Sequence, residues 1–372
     1  MHNRPIGSRR AVRYAGRVRL AVVLLAISLA GAAGAAAPDG ARLYADACAS
    51  CHGADGRGAP AGSGLTVPLP DFTDCNVATA ETTANWAGLV RGGGPFLGMS
   101  PEMPAFAGVL DEDEIAAVLA HVRGFCRDPR WPIGDLNYRR PVFMDKAFPE
   151  DEVVAFFEAD TARHERAYAG QISIEKRIGP RGQLELVLPG EVVDVDGAAT
   201  VVGGGDLAVA YKHVLAAGVP PRTIVSAALE VSAPTGNRRH GVGSGTTVVT
   251  PQLLSGHAIG PLDVQALVEA NLPADPDRAD RAMRYRVAVQ LPLGPYRRSV
   301  APGVELEQSH ALASDVHAAT LLGPALYLPL SRRGHVALGV AGQVPVAGRS
   351  PFDWRLGAFL LWDWADGPFW AW

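Results

Sequence analysis

The sequence predicts a two-domain chain: an all-α domain over residues 38–128, then an antiparallel all-β domain over residues 169–372 built as an up-and-down β-barrel. Three observations carry this reading. All four cysteines fall between Cys48 and Cys126, where apolar residues recur at helical spacing. From about Gly170 the apolar spacing changes to two, and turn residues divide the chain into strand-length segments. The mature chain has no long uninterrupted apolar run, so any membrane crossing falls to strands rather than helices.

At 372 residues the chain has room for two or three domains. Its net charge of −4 is small, and no basic patch marks a nucleic-acid partner. Residues 1–37 read as an export signal. Arg4, Arg9, Arg10, Arg13, Arg17 and Arg19 form a positive leader, Leu20 to Ala30 an apolar core, and Gly31 to Ala37 a small-residue cleavage region. The core is shorter than the roughly 20 apolar residues of a spanning helix; an uncleaved anchor is the second reading.

Cys48-Ala49-Ser50-Cys51-His52 carries the chemistry. Two thiols three positions apart can each add to one vinyl group of the same porphyrin, and the next residue sets an imidazole under the iron. A zinc site would need two further ligands at related spacing, and none is evident. The motif ends a short helical stretch, Ala41 to Ala49. The second iron ligand is expected downstream, where Met99 and Met103 compete. Met103 is preferred because Pro101 and Pro104 stiffen its loop, and a thioether ligand raises the iron's potential. Cys75 and Cys126 are either a disulfide or two buried thiols. Asp111 and Glu114 have the spacing of a capping box, followed by an apolar stripe of Ile115, Val118, Leu119, Val122 and Phe125. Gly56 to Thr73 and Gly92-Gly93-Gly94-Pro95 read as loops, and no phosphate-binding Lys-Ser/Thr follows the glycines.

On Cys48-Ala49-Ser50-Cys51-His52-Gly53, Met103-Pro104-Ala105-Phe106 and the Leu110 to Arg123 helix, residues 38–128 resemble a class I cytochrome c domain. The resemblance implies a small all-α fold, one-electron transfer and one covalent haem c. It implies thioether roles for Cys48 and Cys51, a proximal role for His52 and a distal role for Met103. It also implies an aromatic near the haem propionates, a place for Trp86.

Residues 129–168 read as a linker, with Glu150 to Arg166 as a short helix presenting Val154, Phe157 and Ala162. Beyond it, Leu184/Leu186/Leu188, Leu207/Val209/Tyr211, Val264/Ala266/Val268/Ala270, Met283/Tyr285/Val287/Val289 and Val336/Leu338/Val340 alternate with polar or small residues. Roughly ten to twelve such strands are expected. A soluble sandwich or barrel with its apolar face inside fits this period, as does an outer-membrane barrel with its apolar face toward lipid. The second is favoured by strand length, by the crowding of Trp354, Trp362, Trp364, Trp370 and Trp372 near the end, and by the terminal aromatic. The segments Ile178 to Glu185, Gly205-Asp206-Leu207 and Pro234-Thr235-Gly236 resemble a transporter-type outer-membrane barrel family, which implies a pore or structural barrel without naming a cargo.

The expected function is haem-dependent electron transfer by a non-enzyme whose haem domain faces the periplasm and whose barrel holds it in outer-membrane lipid. The redox partner is not named by the sequence, and soluble periplasm is the alternative location. Two other readings stand beside it. One is a haem enzyme, which needs an open iron position that Met103 would close. The other is a pore whose lumen carries Glu185, Glu269, Arg284 and Arg286, with the haem domain as sensor or plug. No Gly-x-Ser-x-Gly lies in a strand–turn–helix context.

Overall fold

The computed structural model describes residues 37–162, 165–195, 200–237, 242–312 and 318–364. The export signal, apart from Ala37, and both Trp370 and Trp372 lie outside these residues.

The haem-motif region is helical. Helix α1 spans Gly40–Ala47, and its N-cap Asp39 accepts hydrogen bonds from the amides of Ala41 and Arg42. Helix α2 (Ala49–His52) follows after a break at Cys48. Helices α3 (Cys75–Ala80) and α4 (Thr83–Gly92) are capped by Asp74 and Thr82. Helix α5 (Glu112–Arg123) has the expected capping box: Asp111 accepts from the Glu114 amide, and Glu114 accepts from the Asp111 amide. Its buried stripe is Ile115, Val118, Leu119 and Val122, and Tyr44 of α1 packs on Val118 and Val122. Phe125 lies one turn beyond α5 and meets Tyr44 edge-on at 5.2 Å. The cysteine alternatives are settled as a disulfide. Cys75 and Cys126, 4.8 Å apart at Cα, tie the start of α3 to the chain after α5.

The strands are β1 (Glu152–Thr161), β2 (Glu165–Ile178), β3 (Gly182–Val195), β4 (Val201–Gly204), β5 (Ala208–Gly218), β6 (Thr223–Ser232), β7 (Val248–Ile259), β8 (Leu262–Pro273), β9 (Ala282–Gln290), β10 (Ala301–Ala311), β11 (Ala319–Pro329), β12 (Val336–Gly348) and β13 (Trp354–Asp363). Twelve of them close into one antiparallel barrel. Neighbours in sequence pair, β1 pairs with β13, β3 pairs with both β2 and β5, and β4 only extends the edge of β3.

The segment Glu150 to Arg166 corrects the sequence reading. It is not a helix, and the barrel begins at Glu152 rather than at residue 169. Val153, Val154, Phe156 and Phe157 are β-branched or aromatic, and residues 153–161 are hydrogen-bonded to strands on both sides. The Val154 and Phe157 spacing imitated a helical face; sheet pairing on two edges overrides it.

The barrel is inside-out. Leu184, Leu186 and Leu188 are 46%, 39% and 39% exposed, whereas Glu175, Gln183 and Gln265 point inward and are 1% exposed. Most of the exposed apolar side chains of the strands therefore face outward and most of the polar set lines the lumen, the pattern of a barrel in lipid. On β13, Trp354 and Trp362 share the outward face at opposite ends, with Leu356 and Leu360 between them. This is how two interfacial girdles flank an apolar band.

Residues 134–151, expected as linker, run through the lumen. Leu136, Tyr138, Met144, Ala147 and Phe148 pack against Val214, Ile224, Leu254 and Leu267 of the wall. Val142 and Phe143 pack against Ala301, Tyr327, Ala337, Phe359 and Leu361. An irregular backbone there has no strand to pair with, so lumen side chains supply its partners. The Glu305 carboxylate accepts from the amides of Val142 (2.7 Å) and Phe143 (2.9 Å), and Gln183 accepts from that of Glu150 (2.7 Å). Lys212, Ser226 and Gln265 donate to the carbonyls of Lys146 (2.9 Å), Ala147 (2.6 Å) and Arg139 (2.7 Å). Arg140 bonds Glu152 and Glu175 at 2.8 Å each and also pairs with Asp145. Lys146 bonds Glu150 and Glu152 at 2.5 and 3.2 Å. A cavity of about 290 Å³ remains on the side of the plug away from the helical domain, lined by Phe156, Glu158, Arg284, Arg286, Glu307 and Arg355.

Arg140→Ala leaves Glu152 and Glu175, 0% and 1% exposed, without their guanidinium. A loss of about 3–5 kcal/mol is expected, read as a lower urea midpoint for the barrel in detergent. An unchanged midpoint would mean that the plug does not hold the lumen.

Candidate haem site

Cys48 stands at the break between α1 and α2, its amide bonded to the Tyr44 carbonyl at 2.9 Å. One turn on, the His52 amide returns to the Cys48 carbonyl at 2.9 Å, so both motif cysteines and His52 share a single turn. Gly53 ends that turn at φ +76, where a Cβ would stand 2.9 Å from the Gly58 carbonyl oxygen. The Tyr44 hydroxyl donates to the Gly53 carbonyl at 2.8 Å and pins the turn to α1.

The His52 ring stacks on Phe72 at 5.2 Å, and Phe72 meets Trp86 edge-on at 5.9 Å. Burial lowers the His52 pKa and so favours the neutral imidazole, whose Nδ1 is buried and without a protein partner among the described residues. Cys48 and Cys51 are free thiols; burial, with Cys51 beside it, pushes Cys48 up to about 11. Two unpaired thiols and a desolvated, neutral imidazole on one turn are a donor set that fits a c-type haem. Cys48 and Cys51 would attach it and His52 would ligate its iron.

The two methionines differ in setting. Met103 is half-buried and packs with Leu43, Trp86 and Phe106 against the Val90, Leu110, Ile115 and Leu119 cluster, whereas Met99 is 42% exposed. The Met103 loop is held by the glycine run, which the sequence marked only as a loop. The Gly94 amide donates to the Met103 carbonyl at 3.0 Å, and a Cβ on Gly94 would lie 1.8 Å from the Ser100 carbonyl oxygen. Trp86 touches both helical core clusters, with the Arg123 guanidinium 4.6 Å above its ring. Arg123 is itself committed to the carbonyls of Ala78 and Glu81, so Trp86 serves at least as the joint of this domain. Phe72, Tyr44 and Arg123 escaped sequence reading because each acts through a partner more than 8 positions away or through a loop of no period.

A latch fixes this domain to the barrel mouth. Glu81 Oε1 lies 2.5 Å from His335 Nε2. Asn85 accepts from the Arg297 amide at 3.0 Å, and Arg298 lies 4.1 Å over the ring of Phe96 while donating to its carbonyl. Thr83 donates to Asp135, at the entrance of the plug, at 2.5 Å. Burial alone would raise the Glu81 pKa, but His335, Arg297 and Asn85 pull it down to about 2 from an ordinary 4.5.

A carboxylate depressed in this way stabilises the folded form above its ordinary pKa and loses that effect as pH falls toward the folded value. Glu81→Gln is expected to weaken the haem domain by about 1.5–3 kcal/mol at neutral pH. The difference in urea midpoint between the parent and this variant should shrink as pH falls from 4.5 toward about 2. A difference independent of pH would show that the latch is not ionic.

Residues 35–122 match the family described as cytochrome C oxidase, cbb3-type, subunit III. No curated protein matches the chain. Among solved structures, the chain is similar to an outer membrane channel from Pseudomonas putida F1. The two are 15% identical with a TM-score of 0.51, over 60% of this chain and 99% of that chain. It also aligns with the NanC porin at 9% identity and TM-score 0.40, over 57% of this chain and 98% of that one. The KdgM porin aligns at 8% identity and TM-score 0.37, over 56% and 98%. The chain thus joins a c-type cytochrome domain to a closed twelve-stranded barrel with the fold of an outer-membrane channel.

Proposed function

We propose that the chain is a one-electron carrier fixed at the outer membrane, its barrel serving as anchor. The observation that carries this reading is the continuity of haem domain and plug. The chain that leaves the disulfide at Cys126 enters the lumen at Gly134 and fills it before β1 begins. A haem domain so held stays at the barrel mouth instead of diffusing.

The chain has a single Cys-x-x-Cys-His, so one haem, attached covalently through Cys48 and Cys51, is the reading. His52 and Met103 would ligate its iron, and a thioether ligand in place of an open site favours a carrier over an enzyme. The bound haem supplies a one-electron couple. The protein's own part is to exclude water with Phe72, Trp86 and Phe106, to hold Met103 through Gly94, and to keep the site still through the Glu81–His335 latch.

The connections bear on the orientation. At the haem end three turns are short, residues 179–181, 219–222 and 260–261, while residues 291–300 and 330–335 form the longer loops that meet the helical domain. At the other end residues 233–247 and 274–281 join β6 to β7 and β8 to β9. Bacterial outer-membrane barrels keep short turns in the periplasm, and the three short turns at this end together with the 233–247 connection at the other support a haem domain that faces the periplasm. A pore is the second reading. The charged cavity beyond the plug favours it, and the packed plug opposes it.

Haem staining of fractionated membranes is expected to place the protein in the outer membrane; haem in soluble periplasm alone would sink the proposal. Met103→Ala should convert a low-spin haem spectrum to high-spin, and an unchanged spectrum would remove Met103 from the iron. In planar bilayers the parent chain should be closed, and replacing the plug side chains from Tyr138 to Phe148 with Gly and Ser should open it. An open parent would favour the pore.

A further inference from the structure

Resting on the carrier reading, we infer that the segment Met99 to Asp113 is a docking face for a basic, lysine- or arginine-rich protein. Between Asp39 and Asp128 twelve carboxylates stand against five arginines and no lysine, which leaves seven net negative charges on a domain of this size. The arginines are largely spent within the domain. Arg42 pairs with Asp46, Arg57 with Asp55 and Asp71, Arg91 with Glu112, and Arg123 with Asp135 at the plug entrance. Part of the uncompensated charge, on Glu102, Asp111 and Asp113, lies where the surface is also apolar. Val109 is 73% exposed and Met99 42%, with Pro104, Ala105 and Ala107 exposed between them. Glu102, Asp111 and Asp113, all exposed, border this patch.

Asp111 has a local task as helix cap, and Glu102 accepts from Thr66, but neither carboxylate has a cationic partner among the ion pairs of the described residues. The barrel does not cover the patch. Contacts of the helical domain to the barrel and plug run from Glu81, Thr83, Asn85, Arg91, Phe96 and Leu97, and Arg332 stands beside Gly98 at the edge of the patch. An apolar centre with a rim of one charge sign suits a transient partner of opposite sign, steered by long-range attraction and released readily. The patch carries the Met103 loop, so such a partner would sit on the side of the domain that holds the proposed thioether ligand.

The test is equilibrium binding to the full chain in phosphatidylcholine nanodiscs, which add no net lipid charge. The probes are a lysine-rich soluble cytochrome c and an acidic soluble cytochrome of similar size. The basic probe should bind, with affinity falling about tenfold between about 20 and about 200 mM NaCl, while the acidic probe should not bind. Glu102→Gln and Asp113→Asn together should weaken low-salt binding about threefold or more, and Val109→Ser should weaken binding at both salt concentrations. Salt-independent affinity, equal binding of the two probes, or unchanged binding by these variants would overturn the inference. So would a dimer that Val109→Ser dissociates, since a second copy would then cover the patch. Reduction and reoxidation by small mediators is measured separately; its failure would remove the carrier reading and leave the binding isotherms to be judged alone.

Discussion

A backbone that enters the lumen of a closed barrel has lost both water and sheet, and every amide and carbonyl must find a partner among side chains. That constraint organises the molecule. It explains why the wall presents Glu305, Gln183, Lys212, Ser226 and Gln265 at the positions where residues 139–150 pass. It also explains why the wall bears apolar patches, from Val214 to Leu267 and from Ala301 to Leu361, in an otherwise polar lining. The plug brings its own charges, Arg140 and Lys146, and wall and plug carboxylates meet them. Removing one partner of such a pair strands the other in a place where solvation is poor, so the lumen tolerates the set better than any part of it.

The same segment connects two kinds of stability. The helical domain is stabilised by a conventional apolar core, closed by the disulfide and by capped helices. The barrel is stabilised by its closed ladder of strands and turns its apolar side outward. The plug gives the first domain a root in the second, and the latch at Glu81 and Asn85 adds a grip at the mouth. For the proposed carrier, a domain held at two places suits a fixed relay better than a tethered domain free to turn.

Much of the site was legible because its signals are local. Cys48, Cys51 and His52 lie within one helical turn, and the capping box of α5 spans four residues. The Met103 preference rested on flanking prolines; in the fold Met103 packs with Trp86 and Phe106, whereas Met99 is exposed. What held that loop was not legible, because Gly93 and Gly94 act by what they lack, and only the neighbouring Ser100 carbonyl reveals the need. Residues 152–161 were misread because Val154 and Phe157 fit a helical face as well as a strand, and short apolar runs do not separate the two. The plug was read as linker because its apolar residues follow the contours of a lumen and have no period of their own.

By itself the sequence determined the haem chemistry, the helical first domain and the strand-forming nature of the second, since each follows from contacts between residues close in the chain. It left Cys75 and Cys126 as a disulfide or two buried thiols, the strands with two possible faces, and residues 129–168 as a linker. The tertiary structure decided all three. Which face of a strand points inward depends on what fills the interior, and that is set by a segment distant in sequence. Alternation alone reads the same in either sense, and only closure of the ring around residues 134–151 placed the leucines toward lipid and the glutamates and glutamines within.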